Sequence, residues 1–350
     1  MEIVKELPDI SLHISEAEYR QMPELSYSNL STYESLGFTG LDHLFDRKES
    51  PSLRFGSAVD AIITGGLDEF ESLFFVADLP STDGKEIKIT DYLFNLYGGQ
   101  YSSLEEIPAT YILDAANQFN YGADNWRPQT KVDKITKAGS DYYKIKLIAG
   151  TKTILSTKEL EDAKACVRAL RESPSTAAYF ADNDELSPIR RYYQLKFKFT
   201  AEGVGYRSMM DLLVVDYEKK IIYPIDLKTS LSTAEWDFES NFKKWHYYIQ
   251  ARLYWRNLRA NLDKDDYFKD FTLADYRFII VNPKTLTPLI WKFPLTRTFG
   301  ILITDTGEEV RDPYEIGKEL QGYLDCRPPV PNGISKDGIN TINCLRIPNA

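Results

Sequence analysis

Apolar residues in the N-terminal part of the chain recur at the spacing of an amphipathic helix. Leu30, Tyr33 and Leu36 are three residues apart and would lie on one face of such a helix. Ser26 or Ser28 can cap its start, because a serine side chain accepts a hydrogen bond from a backbone amide two or three residues later. The pattern therefore predicts a helix that begins near these serines and ends before residue 45.

A second helix is predicted over Leu53–Ile63, where apolar residues form a stripe on one helical face. Gly65 and Gly66 follow directly and are expected to end this helix, because glycine readily adopts the left-handed conformation of a helix terminus. From Ile89 to Phe180 the apolar spacing is again mainly helical, although it is irregular. The first half of the chain is therefore expected to be helical.

The spacing changes from helical to alternating after Pro188, and alternation is typical of strands. Three successive strands are predicted, over Arg191–Thr200, Tyr206–Val215 and Lys220–Asp226. The turn between the second and third strands is placed at Asp216–Lys219. These strands are close in sequence, so they are expected to form an antiparallel meander.

One long helix is predicted after the third strand, over Glu235–Ala260, and two more strands are predicted at Tyr276–Val281 and Leu289–Phe293. From Arg327 the chain is rich in proline and glycine and is expected to be irregular. A meander that leads into a crossover helix and further strands is typical of mixed α/β proteins. The sequence thus predicts an α/β fold with a mixed central sheet, flanking helices and a large helical insertion.

Composition indicates a folded protein of the reducing cell interior. The 350 residues are 43% hydrophobic and 27% charged, which is the balance of a globular chain. The three cysteines, Cys166, Cys326 and Cys344, are too few and too scattered for a disulfide framework. No apolar run approaches the roughly 20 residues of a membrane helix, and the first residues do not form a signal peptide. A cytoplasmic location without membrane association is expected.

The charge of the chain is unevenly distributed. The formal net charge is −10, which argues against a protein that coats nucleic acid through bulk charge. Residues 127–171, in contrast, carry eleven basic and five acidic side chains, a local net charge of +6. This stretch is interpreted either as a solvated helical surface or as a nucleic-acid footprint.

Three charged residues lie within hydrophobic strands. Burial of a charged side chain costs roughly several kcal/mol of solvation free energy unless the charge is paired or binds a metal. This cost applies to Asp211, Asp226 and Lys228. Asp226 and Lys228 are two residues apart and share a strand face. An even-length hairpin loop would pair Asp211 with Pro224 and make Asp211 a diagonal neighbour of Asp226 on that face. Such a patch suits Mg²⁺ or Mn²⁺; the alternative is a salt bridge at a strand end.

This arrangement resembles the core of the PD-(D/E)xK nuclease superfamily. The matching residues are Asp211 and the tripeptide Asp226, Leu227 and Lys228. The resemblance is strongest to the RecE-like (exonuclease VIII-like) exonucleases of phages and prophages and to RecB-type exonucleases. It implies a restriction-endonuclease-like core, in which the mixed sheet carries the active site.

Two further segments carry the same resemblance. Gln250 and Tyr254 match a Q-x-x-x-Y motif on the helix after the third strand, and their spacing places both side chains on one helical face, with His246 one turn earlier. RecE-like proteins also have a segment similar to LRFGSAVDAII, with histidine where this chain has Asp60. Asp60 could ligate Mg²⁺, mark an altered site, or only balance Arg54. The resemblance extends over residues 25–77 and 190–291.

The resemblance implies a role for each matched residue. The implied ligands of Mg²⁺ (or Mn²⁺) are Asp60, Asp211, Asp226 and the carbonyl group of Leu227. Lys228 would position the attacking water, and Gln250 and Tyr254 would support the scissile phosphate or the lysine. The chain is interpreted as one nuclease domain over residues 1–350. Its parts are an N-terminal helical part (25–77), a helical insertion (85–185), a catalytic sheet and helix (190–295) and an irregular tail (327–350).

The function implied is that of a metal-dependent exonuclease that hydrolyses phosphodiester bonds from the ends of linear duplex DNA. A role in phage recombination or DNA processing would pair it with a single-strand annealing protein, and related exonucleases form rings, which implies a homo-oligomer. Two alternatives stay open. One is a catalytically altered nuclease fold that binds DNA or a partner, and the other is a structure-specific endonuclease.

Overall fold

The computed structural model describes residues 5–45, 50–79, 84–123, 125–232, 235–294, 302–303 and 309–326. The helices of this part of the chain are α1 (Glu16–Gln21), α2 (Tyr27–Leu36), α3 (Pro51–Leu73), α4 (Lys85–Tyr97), α5 (Ala109–Gln118), α6 (Pro128–Ala149), α7 (Thr157–Glu172), α8 (Ala177–Phe180), α9 (Glu235–Lys244), α10 (Tyr247–Leu262) and α11 (Pro313–Cys326). The strands are β1 (Phe74–Val76), β2 (Thr153–Leu155), β3 (Ile189–Ala201), β4 (Val204–Asp216), β5 (Ile221–Thr229), β6 (Thr272–Leu273), β7 (Tyr276–Val281), β8 (Leu289–Phe293), β9 (Leu302–Ile303) and β10 (Glu309–Val310). None of these helices is long and apolar enough to cross a membrane.

The elements divide into two compact units. One unit combines Met1–Lys48 with Leu170–Ala350, and the other consists of Glu49–Ala169. The first carries the large sheet, whereas the second carries helices α3 to α6 and the short parallel pair of β1 and β2. The second unit begins before the predicted insertion and includes the LRFGSAVDAII segment. The interpretation as one domain stays a prediction.

The sheet of the first unit is mixed, as the sequence predicts. Its strands follow the order β3, β4, β5, β7, β8, and β6 lies beside β5. The pairs from β3 to β5 are antiparallel, and β5 and β7 are parallel. Parallel neighbours need a crossover connection, which α9 and α10 supply. The mixed α/β fold with a central sheet and flanking helices is thus confirmed.

Helix α10 covers the sheet over β3 and β4. It buries Ile249, Leu253 and Leu258 completely, in one core with Phe197 of β3 and Phe278 of β7. Ile249 and Leu253 are four residues apart and share one helical face, whereas Leu258 lies about 140° around the helix from Leu253, so α10 is buried around much of its circumference. The same helix therefore has a fixed rotation above the strands, and this rotation decides which of its polar residues meet the sheet.

The predicted long helix over Glu235–Ala260 is wrong in one respect, because the structure has two helices there. The chain leaves α9 and enters α10 through His246, which has a left-handed backbone (φ 54°, ψ 41°). Its ring nitrogens lie 2.7 Å from the Tyr248 hydroxyl and 3.1 Å from the Ser35 hydroxyl. These contacts hold the break. No glycine or proline marks it, so apolar spacing alone predicts a continuous helix.

The predicted end of the second helix is also only partly right. Gly66 departs from helical geometry (φ 72°, ψ −157°), as expected of a helix terminus, but the chain turns helical again and α3 continues to Leu73. Ser26 occupies the N-cap position of α2, where its amide and hydroxyl groups both donate to the Asn29 side chain. The strands predicted after Pro188 are confirmed with small changes of bounds. The tail from residue 327 lies outside the described residues.

The basic stretch of residues 127–171 lies on α6, β2 and most of α7. Lys134, Lys137 and Lys144 are exposed on α6, whereas Lys146 forms an ion pair with Asp91 (2.5 Å). Both interpretations of this stretch are compatible with such a surface. Its contact with nucleic acid stays a prediction.

The second unit contains a close helix contact that depends on a glycine. Gly139 of α6 lies against α4, and a Cβ atom at this position would come within 2.0 Å of Thr90 Oγ1 and 2.9 Å of Leu104 Cδ2. The Thr90 hydroxyl is fixed by a hydrogen bond to the Glu86 carbonyl (2.8 Å). The helices therefore approach as closely as they do because residue 139 has no side chain.

We expect Gly139→Ala to destabilise the protein by about 1–3 kcal/mol, because the added methyl group overpacks a closed helix contact. Urea denaturation followed by circular dichroism measures this change. Gly322→Ala is the matched control, since a Cβ atom there meets nothing within 4 Å on α11. Alanine loses less backbone entropy than glycine when the helix forms, so this variant should be more stable than wild type by roughly 0.5–1 kcal/mol. A stabilising effect at both positions would contradict the close contact.

Candidate active site

The hairpin of β4 and β5 has a different register from the one predicted. Asp216 pairs with Ile221 and Leu213 pairs with Pro224, so residues 217–220 form the turn. The predicted pair of Asp211 and Pro224 is therefore wrong by two residues. The left-handed backbone of Lys220 (φ 53°) sets this turn, together with a hydrogen bond from the Lys219 amide to Asp216 (2.9 Å).

The shift by two residues preserves the face on which each side chain lies. Strand side chains alternate between faces, so an even offset leaves Asp211 on the side of Asp226. Asp211 Oδ2 accepts a hydrogen bond from the Leu227 amide at 3.0 Å, directly beside Asp226. The two strands thus bring Asp211 and Asp226 closer together than the predicted diagonal arrangement.

Asp226 is the buried centre of the site, with 1% of its surface exposed. Its Oδ1 accepts a hydrogen bond from the Gln250 side-chain amide, and its Oδ2 lies 2.7 Å from Lys228 Nζ. The ion pair is close, but the angles leave Oδ2 without a hydrogen-bond partner among the described residues, and Gln250 Oε1 is likewise unsatisfied. Two buried oxygen atoms are therefore available for a further ligand.

Lys228 remains an ammonium group in this setting. Burial by itself lowers the pKa of Lys228, but the acidic groups around it, Asp226 foremost, together outweigh this effect and raise the pKa above its usual value. The ammonium nitrogen also lies 4.9 Å from the centre of the Tyr247 ring, whose face attracts a cation. About a quarter of the side chain is exposed (23%). Lys228 can therefore donate hydrogen bonds to a ligand in the pocket, but it cannot accept a proton.

A pocket of about 160 Å³ opens in front of these groups. Strand β4 contributes Arg207, Met209 and Asp211, which alternate in sequence and so share one face of the strand. The sequence reasoning missed Arg207, although its spacing of four residues from Asp211 was a signal that both lie on the same face. Ser26 and Ser28, at the start of α2, line the pocket as well.

Arg207 is a buried cation in this pocket, with 6% of its surface exposed. Its guanidinium group donates to the carbonyl oxygens of Tyr19 (2.6 Å) and Met22, at the end of α1. Burial lowers the pKa of Arg207, though an arginine in these surroundings stays charged. Arg20 of the same helix also lines the pocket. Cations thus lie beside the carboxylates, as an anionic ligand requires.

The two residues of the Q-x-x-x-Y motif both reach the pocket. Gln250 holds Asp226, and Tyr254, which is 8% exposed, lines the wall. Burial raises the pKa of Tyr254 well above its ordinary value, so the phenol stays neutral. His246 instead contacts Ser35 and Tyr248, because the break in the helix turns it away from the motif's helical face.

Two of the predicted metal ligands are not tested by this geometry. Asp60 lies on α3 in the second unit, and it has an interaction of its own. Leu227 lies on β5 between Asp226 and Lys228, where its amide bonds Asp211. Their roles as ligands stay predictions.

The donor atoms of the pocket fit a hard divalent cation. Asp211 and Asp226 provide carboxylate oxygens, and Asp226 and Gln250, which each have an unsatisfied buried oxygen, both line the pocket. Within the described ranges no three acidic, histidine or cysteine groups are arranged to hold a metal. Mg²⁺ keeps several of its waters and commonly binds through one or two carboxylates, so two are sufficient.

Comparison with known proteins gives little further guidance. No protein-family model and no curated protein matches the chain. Among solved structures, the chain is similar to a "Putative exonuclease" from Eubacterium rectale, with 13% sequence identity and a TM-score of 0.42 over 90% of this chain and 85% of that one. A likeness this low assigns no function. The chain is a mixed α/β protein with a polar pocket that combines the carboxylates of Asp211 and Asp226 with cationic side chains.

Proposed function

We propose that this chain is a metal-dependent deoxyribonuclease that hydrolyses phosphodiester bonds at the ends of linear duplex DNA. The observation that carries the proposal is Asp226, a fully buried carboxylate with one oxygen unsatisfied, in a pocket with Asp211 and Lys228. Burial of a carboxylate costs stability, and groups of this kind are found preferentially where a ligand or a reaction needs them. Buried charges in a pocket are typical of active sites.

Each residue of the pocket has a chemical task in this proposal. Asp211 and Asp226 would hold Mg²⁺ or Mn²⁺, and the ion, when bound, would polarise a phosphate group and lower the pKa of a water molecule. Lys228 would donate hydrogen bonds to the attacking water or to a phosphate oxygen, as its charged state favours. Gln250 would keep Asp226 in position through the hydrogen bond to Oδ1.

Phosphate as the ligand is supported by the cations around the pocket. Arg20, Arg207 and Lys228 lie there, although the whole chain is acidic. Arginine is well suited to phosphate because its planar group presents several donors. The preference for DNA ends, a role in phage recombination, an annealing partner and a homo-oligomer rest on the sequence resemblance alone.

A second candidate is a nuclease-like protein that binds DNA without cutting it. It is favoured by the small ligand set, because the described residues offer two carboxylates and no third acidic, histidine or cysteine group arranged with them. Isothermal titration calorimetry with Mg²⁺ or Mn²⁺ separates the two candidates. A protein that only binds DNA needs no metal site and should give no heat of metal binding. The nuclease should give a heat of binding with Mg²⁺ or Mn²⁺, and Asp211→Asn should abolish it.

The proposed activity is tested with a linear duplex and a covalently closed circle of the same sequence. We expect the purified protein to degrade the linear DNA with Mg²⁺, to stop when EDTA removes the ion, and to resume when Mg²⁺ is restored. The circle should survive, because an exonuclease needs an end. Cleavage of the circle would instead identify an endonuclease. If neither DNA is cut with Mg²⁺ or Mn²⁺, the proposed activity is wrong.

A further inference from the structure

The indole side chain of Trp245 is exposed at the break between α9 and α10. About half of its surface (51%) is accessible, whereas tryptophan is on average one of the more buried residue types. Tyr247 and Tyr248, which follow within three residues, pack against the hydrophobic core. A single exposed aromatic residue is not unusual by itself, so its surroundings decide what it means.

The backbone of Trp245 is held on both sides. Its amide donates to the Asn241 carbonyl (3.0 Å), and its carbonyl accepts a hydrogen bond from the Tyr27 hydroxyl. The next residue, His246, has a left-handed backbone that side chains with a Cβ atom rarely adopt. The fold thus fixes the backbone that carries the exposed indole, and less of the chain has to be ordered when a ligand binds.

This place adjoins the carboxylate pocket. Tyr27, which binds the Trp245 carbonyl, lies between two serines that line the pocket. On the other side, Tyr247 lies two residues after Trp245, and its ring is 4.9 Å from Lys228 Nζ. A DNA strand that enters the pocket would therefore pass close to the indole.

The charge beside the indole is positive. Lys244 Nζ lies 4.9 Å from the centre of the Trp245 ring, and Lys244 is exposed. Lys243 is exposed as well, although Glu239 pairs with it at 3.3 Å. Proteins that bind single strands combine an aromatic face for a base with cations for the backbone. The arrangement at the break has both parts.

We propose that Trp245 is a stacking platform for an unpaired nucleobase of the strand that enters the carboxylate pocket, with Lys244 near the backbone phosphate. The ligand class is single-stranded DNA, because a base within a duplex already stacks on its neighbours and offers no free face. The inference rests on the proposed function for the choice of DNA as ligand. Trp245 would thus be a DNA-binding residue that is distinct from the metal ligands and from the groups that take part in hydrolysis.

The test measures binding apart from cleavage. Fluorescence anisotropy with a labelled oligothymidylate, in EDTA, gives Kd for the full-length wild type, Trp245→Ala and Trp245→Phe. We expect alanine to weaken binding about tenfold, as loss of one base–aromatic stack does, and phenylalanine to restore most of it. Phe45→Ala is the matched control, since Phe45 is another exposed aromatic residue of the same unit (59%), and its removal should leave Kd unchanged.

A second ligand separates stacking from charge. An abasic strand of the same length has the phosphates but no bases, so wild type and Trp245→Ala should bind it equally. The platform is overturned if Trp245→Ala binds oligothymidylate as tightly as wild type, if the abasic strand shows the same loss, or if wild type binds neither strand. The linear-duplex assay is independent of this outcome. A protein that binds through Trp245 but never cuts DNA would disprove the proposed activity and leave the platform standing.

Discussion

Asp226→Asn is expected to slow the hydrolysis of linear DNA by at least about 10³-fold under single-turnover conditions. The side chain keeps its shape, but the buried site loses the negative charge that would hold Mg²⁺. Gln250 would then face an amide in place of a carboxylate, so the arrangement of the remaining groups also weakens. Calorimetry should show that the heat of Mn²⁺ binding disappears with the activity.

The matched control is Asp216→Asn on strand β4. Asp216 is also a buried carboxylate (5% exposed), and it accepts a hydrogen bond from the Lys219 amide at the turn, five residues along β4 from Asp211. This variant should lose stability and retain the rate of hydrolysis. If the two asparagine variants cut DNA equally well, Asp226 has no part in catalysis.

Lys228→Met is expected to destabilise the protein by about 3–5 kcal/mol, because it removes the cation from a buried carboxylate. The ion pair is close (2.7 Å), and Asp226 has almost no contact with water that could replace the lysine. The variant should also lose the hydrolysis of DNA. Urea denaturation and the single-turnover assay measure the two effects separately.

The double variant Asp226→Asn with Lys228→Met separates stability from catalysis. Removal of both charges leaves no buried ion unpaired, so we expect part of the lost stability to return, with a coupling energy of about 1–3 kcal/mol. Activity should stay absent, because neither group is restored. Strictly additive losses of stability would show that the two side chains do not interact.

The pH dependence of this ion pair has a definite sign. The pKa of Lys228 is raised in the folded protein, so the pair's contribution to stability is fully present below the lysine's ordinary pKa of 10.5. It declines only as the pH rises through the higher pKa of the folded state. The double variant Asp226→Asn with Lys228→Met has neither charge of the pair, so in urea denaturation its difference in stability from wild type should be constant from neutral pH to about pH 10.

Much of the fold could be predicted from local patterns. The alternation after Pro188 correctly predicts β3, β4 and β5, and the two later strands follow from the same signal. These signals are reliable because a strand or helix buried on one side must repeat its apolar residues at its own period. The break at His246 has no such signal, since contacts with Ser35 and Tyr248 hold it.

The candidate site shows the same division. Side chains alternate between the two faces of a strand, so a register shift by an even number of residues leaves each side chain on its face. For any such register, the shared face carries Asp211, Asp226 and Lys228. The predicted register was wrong, because the alternation of apolar and polar residues does not determine the conformation of the turn at residues 217–220. By the same alternation, Arg207 lies on the same face of β4 as Asp211. Only the tertiary structure shows that it lines the pocket, where it contacts the end of α1.

The sequence by itself thus determined the class of fold, the faces of the strands and the pairing of Gln250 with Tyr254 on one helical face. The tertiary structure alone decided that Gln250 reaches Asp226, that Arg207 joins the site and that Trp245 is exposed beside it. The physical reason is distance along the chain. Periodicity reports which way a side chain faces within its own element, whereas the partner it meets depends on turns, breaks and packing between distant segments.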